Sequence, residues 1–257
     1  VAAAIPNSRR PDTRFLDASL IDGGFAISLL PASRDPESSE RAADALVRLF
    51  MEALYADTTN AFGPVFEQYF RNALLLLLSQ SPEDCLIENL PRIFEDKAYR
   101  DMLLADNPDT AVNSFWRETA TKANGEMSLA SVTPYVTSKL TRLIGTAQAR
   151  RIFPGAGKGI DFAAAMDAGD ILILRCPKGD LGEGRTGLAM AAALMQIQEA
   201  AMARASRNSR KPVRLYVDEF QGARGQALGT LLAEGRKFGV SLTLANQSLG
   251  QIDGVRD

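Results

Sequence analysis

The stretch Leu215-Tyr216-Val217-Asp218-Glu219-Phe220 decides how this chain is read. The run from Val213 to Asp218 reads as a strand of apolar, β-branched character, and it delivers two adjacent carboxylates, Asp218 and Glu219, at its C-terminal end. In an open α/β sheet that end of a strand is where ligands bind. Successive side chains of an extended chain point to opposite sides, so the two acids are offered to different tasks. Asp218 suits the water shell of a Mg²⁺ that bridges nucleotide phosphates, and Glu219 suits orienting or deprotonating an attacking water. The same pattern also arises where a strand ends in two solvated acids that cap the next helix. The flanking residues have to separate these readings.

Downstream, Gln226 to Phe238 has a helical pattern and Val240 to Ala245 is a further strand. Upstream, Asp170 to Cys176 is a β-type apolar run, and Gly184 to Ser206 is a helix rich in Ala, Met and Leu that reads as core filler. Strand–helix–strand–helix–strand at this spacing implies parallel βαβ units with right-handed crossovers. Arg236 follows Glu219 by 17 positions (236 − 219), at the end of the intervening helix, and Gln247 lies 11 positions beyond Arg236 (247 − 236), after a strand. In a parallel sheet Asp218, Glu219 and Gln247 share one edge, where an amide can sense a terminal phosphate or the water. Arg236 falls at the other end of its helix, which suits reaching into a neighbouring subunit. The plainer alternatives are a cation at a helix C-terminus for Arg236 and a strand-end hydrogen bond for Gln247.

The remainder of the chain is mostly helical in pattern. Residues 1–24 read as irregular, and Phe25 to Leu30 as a short strand closed by Pro31. Residues 38–57 read as an amphipathic helix, with Ala43, Leu46, Val47, Phe50, Met51 and Leu54 at helical spacing. Pro64 opens a helix to about Ser79 that is apolar nearly all round and should be buried. From 81 to 150 the pattern stays helical. Ser81-Pro82-Glu83-Asp84 and Asn107-Pro108-Asp109 act as start signals, Gly125 as a break, and Thr133-Pro134 as another start.

Composition bounds the chemistry. The chain has 257 residues, 46% apolar and 23% charged, which is a globular composition with a core of its own. It contains no histidine, which excludes a Ser-His-Asp triad, a Cys-His pair and a His-ligated zinc site. The formal net charge of −2 argues against coating nucleic acid with bulk positive charge. Arg204, Arg207, Arg210, Lys211 and Arg214 form a local basic stretch, read as a solvated loop and helix end or as a contact to DNA phosphates or an adjacent subunit. Cys85 and Cys176 show no metal spacing and read as free thiols in a reducing compartment. The longest apolar run, Ala73 to Leu78, is far short of a membrane span, and no signal peptide is visible, so a cytoplasmic location and no membrane contact are expected. The start at Val1 and the stop at Asp257 suggest a piece of a longer protein.

Taken together, Ile160-Asp161-Phe162, Gly169 to Leu174, Pro177-Lys178-Gly179, Leu181-Gly182-Glu183, Leu215 to Phe220, Leu232 to Val240 and Gln247 to Ile252 resemble the ATPase domain of conjugative coupling proteins. These belong to type IV secretion systems and to the wider HerA/FtsK class of hexameric DNA-pumping motors. The resemblance is strongest over 155–255 and continues more weakly through the helical segment, including Phe115-Trp116. It implies a RecA-like α/β P-loop NTPase fold with an all-helical insertion, ATP and Mg²⁺ as cofactors, a homo-hexameric ring, and DNA as the moved substrate beside the secretion machinery or relaxosome. On that basis residues 1–80 form the N-terminal part of the RecA-like domain, 81–150 the helical insertion and 151–257 the C-terminal part. Asp218 becomes the Mg²⁺ acid, Glu219 the catalytic base, Arg236 the finger and Gln247 the phosphate sensor. An inner-membrane anchor, in this family, would sit upstream.

One departure stands against the match. The family needs a phosphate-cradling GxxxxGK[ST] loop after a strand. The Gly157-Lys158 pair has Ile152 and Gly159 where Gly and Ser or Thr are required, and Ala147 to Arg151 is not an apolar strand. The segment therefore reads as a glycine-rich connector, with the true loop expected upstream and little ATP binding expected from these residues alone. A nucleotide-independent assembly subunit and a chromosomal motor of the same class are the alternative readings.

Overall fold

The computed structural model describes residues 4–30, 35–55, 63–81, 83–155, 157–205, 210–222 and 226–246. They form a mixed α/β protein, predominantly helical, with two small parallel sheets. Two compact units appear, one of residues 26–159 and one of residues 1–25 with 160–257. The borders fall at Phe25/Ala26 and Gly159/Ile160, whereas the sequence reading puts them at 80/81 and 150/151. The difference is the two long helices of residues 36–78, which group with the later helical segment.

The helical unit contains α1 (Pro36–Tyr55), α2 (Pro64–Leu78), α3 (Leu90–Glu95), α4 (Lys97–Asp106), α5 (Thr110–Ser114), α6 (Leu129–Ile144) and α7 (Ala147–Ile152). In α1 the apolar stripe predicted by spacing is the buried one: Ala43, Leu46, Val47 and Phe50 are all within the core. Its start lies two residues before the Ser38-Ser39 pair, because the Asp35 carboxylate accepts the Ser38 N–H at 2.8 Å. Helix α2 begins at Pro64 and buries nine residues, from Phe66 to Leu78, as its all-round apolar pattern requires. Around it gather Trp116, wholly buried, with Tyr69, Phe94 and Phe115 edge-on to its ring at 5.3–6.1 Å between centroids.

Several local expectations are corrected here. Where a helix start is expected, the Asp84 and Cys85 N–H groups donate to the Ser81 carbonyl; Pro82 lies outside the described residues, and a 3₁₀ turn (Ile87–Asn89) precedes the next α-helix at Leu90. Asp109 does cap a helix, accepting from the N–H groups of Ala111 and Val112. Helix α6 begins at Leu129, with Ser128 as its cap, so Pro134 lies inside it rather than at its start. Phe25 to Leu30 is not a strand: Ile27, Leu29 and Leu30 are buried, and the Ile27 N–H donates to the Ile152 carbonyl at the end of a helix instead of to a ladder.

The second unit contains β1 (Thr13–Asp17), α8 (Phe162–Ala168), β2 (Ile171–Arg175), α9 (Lys178–Leu181), α10 (Glu183–Ala203), β3 (Val213–Val217), α11 (Gln226–Glu234), a 3₁₀ turn (Gly235–Phe238) and β4 (Val240–Leu244). The stretch 1–24, read as irregular, therefore holds a strand. Its sequence, Thr-Arg-Phe-Leu-Asp, is too polar and short to announce one, and it becomes a strand by pairing in parallel with β2, Thr13 beside Ile171 and Asp17 beside Arg175. The turn that follows needs Gly23: a Cβ there would stand 2.0 Å from the Asp17 carbonyl oxygen.

Strands β3 and β4 pair in parallel, Val213 beside Val240 and Val217 beside Leu244, with α11 as their crossover. One face of this pair is apolar. Val213, Leu215, Val217, Val240, Leu242 and Leu244 pack with Leu194 and Ala201 of α10 and Leu228 and Leu231 of α11. The other face presents Arg214, Tyr216, Ser241 and Thr243 to solvent.

The sequence predicts that β2, α10 and β3 close one continuous parallel unit. Among the described residues β2 pairs only with β1, and β3 only with β4. A cavity of about 250 Å³, lined by Leu172 and Leu174 of β2, Val213 and Leu215 of β3, Phe162 and Ile197, lies between them. Spacing along the chain fixes that β2 and β3 belong to one layer system but cannot fix which edges meet. Among the described residues no helix is long and apolar enough to cross a membrane.

Trp116→Ala is expected to destabilise the protein by about 3–5 kcal/mol, the range for truncating a fully buried aromatic. Denaturant unfolding followed by circular dichroism measures it, and a loss below about 1 kcal/mol would contradict the packing described.

Candidate functional site

The C-terminal ends of the parallel strands carry the polar groups. Strand β3 ends at Val217, and Asp218-Glu219 make the turn that follows. The backbone there is unusual. Glu219 has φ +50°, in the left-handed region that a residue with a Cβ enters at a cost of about 1–2 kcal/mol. Three hydrogen bonds hold the turn. The Glu219 N–H donates to Asp218 Oδ1 at 3.0 Å, the Gly222 N–H to the Glu219 carbonyl at 2.9 Å, and the Phe220 N–H to the Ala245 carbonyl at 3.4 Å. The last of these ties the acidic turn to the end of β4. Asp218 is exposed and Glu219 half-buried.

Parallel pairing places Asp218 and Glu219 at the same edge as Ala245 and Asn246. Gln247, expected at that edge, lies outside the described residues. Arg236 is exposed in the 3₁₀ turn that precedes β4. A five-residue strand separates the two ends by about 17 Å. Arg236 is therefore on the opposite end of the β3–β4 pair from the two acids, as its position in the sequence implies.

A further cation joins the acids. Lys178, two residues past Cys176 at the start of α9, places Nζ 3.4 Å from Glu219 Oε2, with both side chains slightly over a third exposed. An ion pair this exposed contributes about 0–1 kcal/mol. Its value is positional, because it joins the segment after β2 to the segment after β3. Sequence reasoning placed Pro177-Lys178-Gly179 in the family pattern but assigned Lys178 no role. The available signal was a lysine directly after an apolar strand, on the ligand-binding edge.

A second pair, which the sequence did not announce, joins the ends of β1 and β2. Asp17, at the end of β1, has a side chain 4% exposed, and Arg175 Nη1, at the end of the neighbouring β2, is 2.6 Å from Asp17 Oδ2. The Ser19 N–H and hydroxyl both donate to Asp17 Oδ1, at 2.9 and 2.6 Å. Burial pushes the Asp17 carboxyl up, but the Ser19 and Arg175 hydrogen bonds and the Arg175 charge together outweigh it and hold the group below its ordinary value. Burial, with the Asp17 charge as a lesser cause, pushes the Cys176 thiol up to about 12. Cys176 is therefore held as the protonated thiol at neutral pH. Both cysteines are free, as expected.

The basic stretch between α10 and β3 is largely spent on internal contacts. Arg204 is buried, with Nε 2.7 Å from Asp167 Oδ1 and Nη2 donating to the Lys211 carbonyl. Arg210 donates to the carbonyls of Ala205 and Lys237, and Lys211 to that of Ala168. These cations satisfy carbonyls at helix and turn ends, which is a third role beside the solvated and DNA-binding readings. Arg214 stays exposed, and Arg207 lies outside the described residues.

Among the described residues no group of three or more Asp, Glu, Cys or His is arranged to hold a metal ion on its own. A cation at the acidic turn would therefore be held by Asp218 together with water and ligand oxygens, the usual manner for Mg²⁺. Gly155 to Lys158 follows helix α7, not a strand, in keeping with a connector. Comparison with known protein families, characterised proteins and solved structures finds no match to the chain.

Arg175→Met is expected to destabilise the protein at pH 7, because it leaves the buried Asp17 carboxylate without its cation. Asp17 titrates below its ordinary 3.8 in the fold. The stabilisation is therefore complete above about pH 4 and is lost as pH falls through the lowered value. Thermal unfolding of both proteins between pH 3 and 7 should show the difference shrinking toward the acid end. A constant difference would detach Arg175 from Asp17.

Proposed function

We propose that this chain is the catalytic portion of a DNA-translocating ATPase of the type IV secretion coupling class, with a RecA-like core. The supporting observation is the parallel β3–β4 pair. It sets Asp218 and Glu219 at one edge, beside the end of β4 and Lys178, and Arg236 at the other. In this reading Asp218 holds the water shell of Mg²⁺, which when bound neutralises phosphate charge. Glu219, held at a fixed backbone angle, accepts a proton from the attacking water. Gln247 senses the terminal phosphate, and Arg236 reaches the site of the next subunit in a homo-hexamer. DNA is the moved substrate, and the phosphate loop comes from sequence upstream.

A second reading has an observation in its favour. The one Gly-Lys segment follows a helix and lacks the phosphate-loop pattern, which suits a nucleotide-independent assembly subunit.

Two measurements decide. In the longer protein carrying the phosphate loop, Glu219→Gln is expected to retain Mg·ATP binding and to lower turnover by about 100-fold or more, the range for removing a general base. Normal turnover would remove Glu219 from the mechanism. Mixing Arg236→Ala subunits with wild type should depress ATPase activity more than in proportion to their fraction. A proportional loss would confine Arg236 to its own subunit.

A further inference from the structure

The cavity between β2 and β3 has walls of two kinds. From β2 it is lined by Leu172 and Leu174, alternate residues that present one side-chain face. From β3 it is lined by the consecutive residues Val213 to Tyr216, as happens where a strand is met edge-on. The hydrogen bonds agree. The Val213 N–H donates to the Gly239 carbonyl and the Ala245 N–H to the Val217 carbonyl, so Val213, Leu215 and Val217 turn their backbone groups toward β4. The residues between them turn theirs the other way. The N–H and C=O groups of Arg214 and Tyr216 therefore face the open edge, on the cavity side, where among the described residues no strand pairs with them. An apolar space beside unpaired backbone donors is the usual make-up of a small-molecule site. Charge narrows the ligand. The one acid in the described lining, Asp170, is neutralised by Arg14 at 3.0 Å. Arg214 also lines the cavity, and among the described residues its exposed side chain has no hydrogen bond or ion pair. The site therefore carries one uncompensated positive charge.

We propose that this cavity is a binding site for a small amphipathic carboxylate. The hydrocarbon body fills the space against Phe162, Met166, Leu172, Leu174 and Ile197, and the carboxylate takes the N–H donors of the β3 edge together with the Arg214 guanidinium. Size sets the length of the body. A cavity of 150 Å³ accommodates benzene, so one of about 250 Å³ accommodates about ten non-hydrogen atoms, the size of an eight-carbon acid. Burying that chain removes apolar surface from water on both sides, since Leu172, Leu174, Val213 and Leu215 are only half-buried. None of Asp218, Glu219 and Arg236 lines the cavity, and the inference is independent of the proposed function.

The test titrates sodium octanoate into this chain at constant ionic strength and follows the amide shifts of Gly169, Leu172 and Tyr216, with Gly145 of the helical unit as the control. Saturable shifts at the first three and none at Gly145 are expected. 1-Octanol, which has the same body without the charge, is expected to bind about tenfold more weakly, the effect of one charge-assisted hydrogen bond. Arg214→Gln is expected to weaken octanoate about tenfold and to leave octanol unchanged, and Arg214→Lys to restore part of the octanoate binding. Leu172→Trp, which fills the space from the β2 side, is expected to abolish binding of both. Its unfolding midpoint, read by circular dichroism, establishes that it folds, and Leu174→Phe takes its place if it does not. Octanoate shifts that fail to saturate or that spread to Gly145 would overturn the proposal. So would equal losses of octanoate and octanol in Arg214→Gln, or unchanged octanoate binding by a folded cavity-filling variant.

Discussion

The site depends on the parallel alignment of β3 with β4. Parallel strands require a crossover, here α11 and the turn after it, and the crossover carries the chain back along the pair before β4 begins. Both C-terminal ends then lie at one edge and the crossover's last turn at the other. An antiparallel pairing would have put Asp218 and Glu219 beside the start of β4, next to Arg236 and Lys237, and the acids would have been neutralised locally. The apolar face that α10 and α11 cover holds this alignment, since slipping β4 by one residue would turn Val240, Leu242 and Leu244 outward.

Charge is arranged around that edge in two tiers. Asp17 and Arg175 form a tight pair with one buried member, supported by Ser19, and they fix the ends of β1 and β2. Lys178 and Glu219 form a looser, more exposed pair that links the ends of β2 and β3. The first pair suits structure, because breaking it strands a buried carboxylate. The second, more exposed pair can open at little cost.

Much of this was legible along the chain. The two carboxylates after an apolar run, the helix between β3 and β4, the separation of Arg236 from the acids and the all-round apolar helix at Pro64 all rest on local patterns, and the structure places them as read. Other features were not legible. Strand β1 carries a polar, five-residue sequence and exists through its partner. The start signal at Ser81 is not followed at once by an α-helix: Cys85 and Ile87 are buried before and within a 3₁₀ turn, and the α-helix begins at Leu90, where proline stands in its first turn. Thr133-Pro134 resembled a helix start because proline is tolerated in a first turn. Here Ser128, five residues before Thr133, offers the earlier cap, and the buried Val132 and Val136 continue the same face.

The sequence by itself determined the element types of β2, α10, β3, α11 and β4, the absence of histidine chemistry and the placing of two acids at a strand end, because periodicity and composition are local properties. Tertiary structure alone decided that, among the described residues, β2 pairs with β1 and not β3, that Arg204, Arg210 and Lys211 donate to backbone carbonyls, and that Lys178 meets Glu219. The reason is common to all three. Each is a contact between residues distant along the chain or across a loop, and its partner is chosen by which edges and ends the packed helices bring together, information that no local pattern carries.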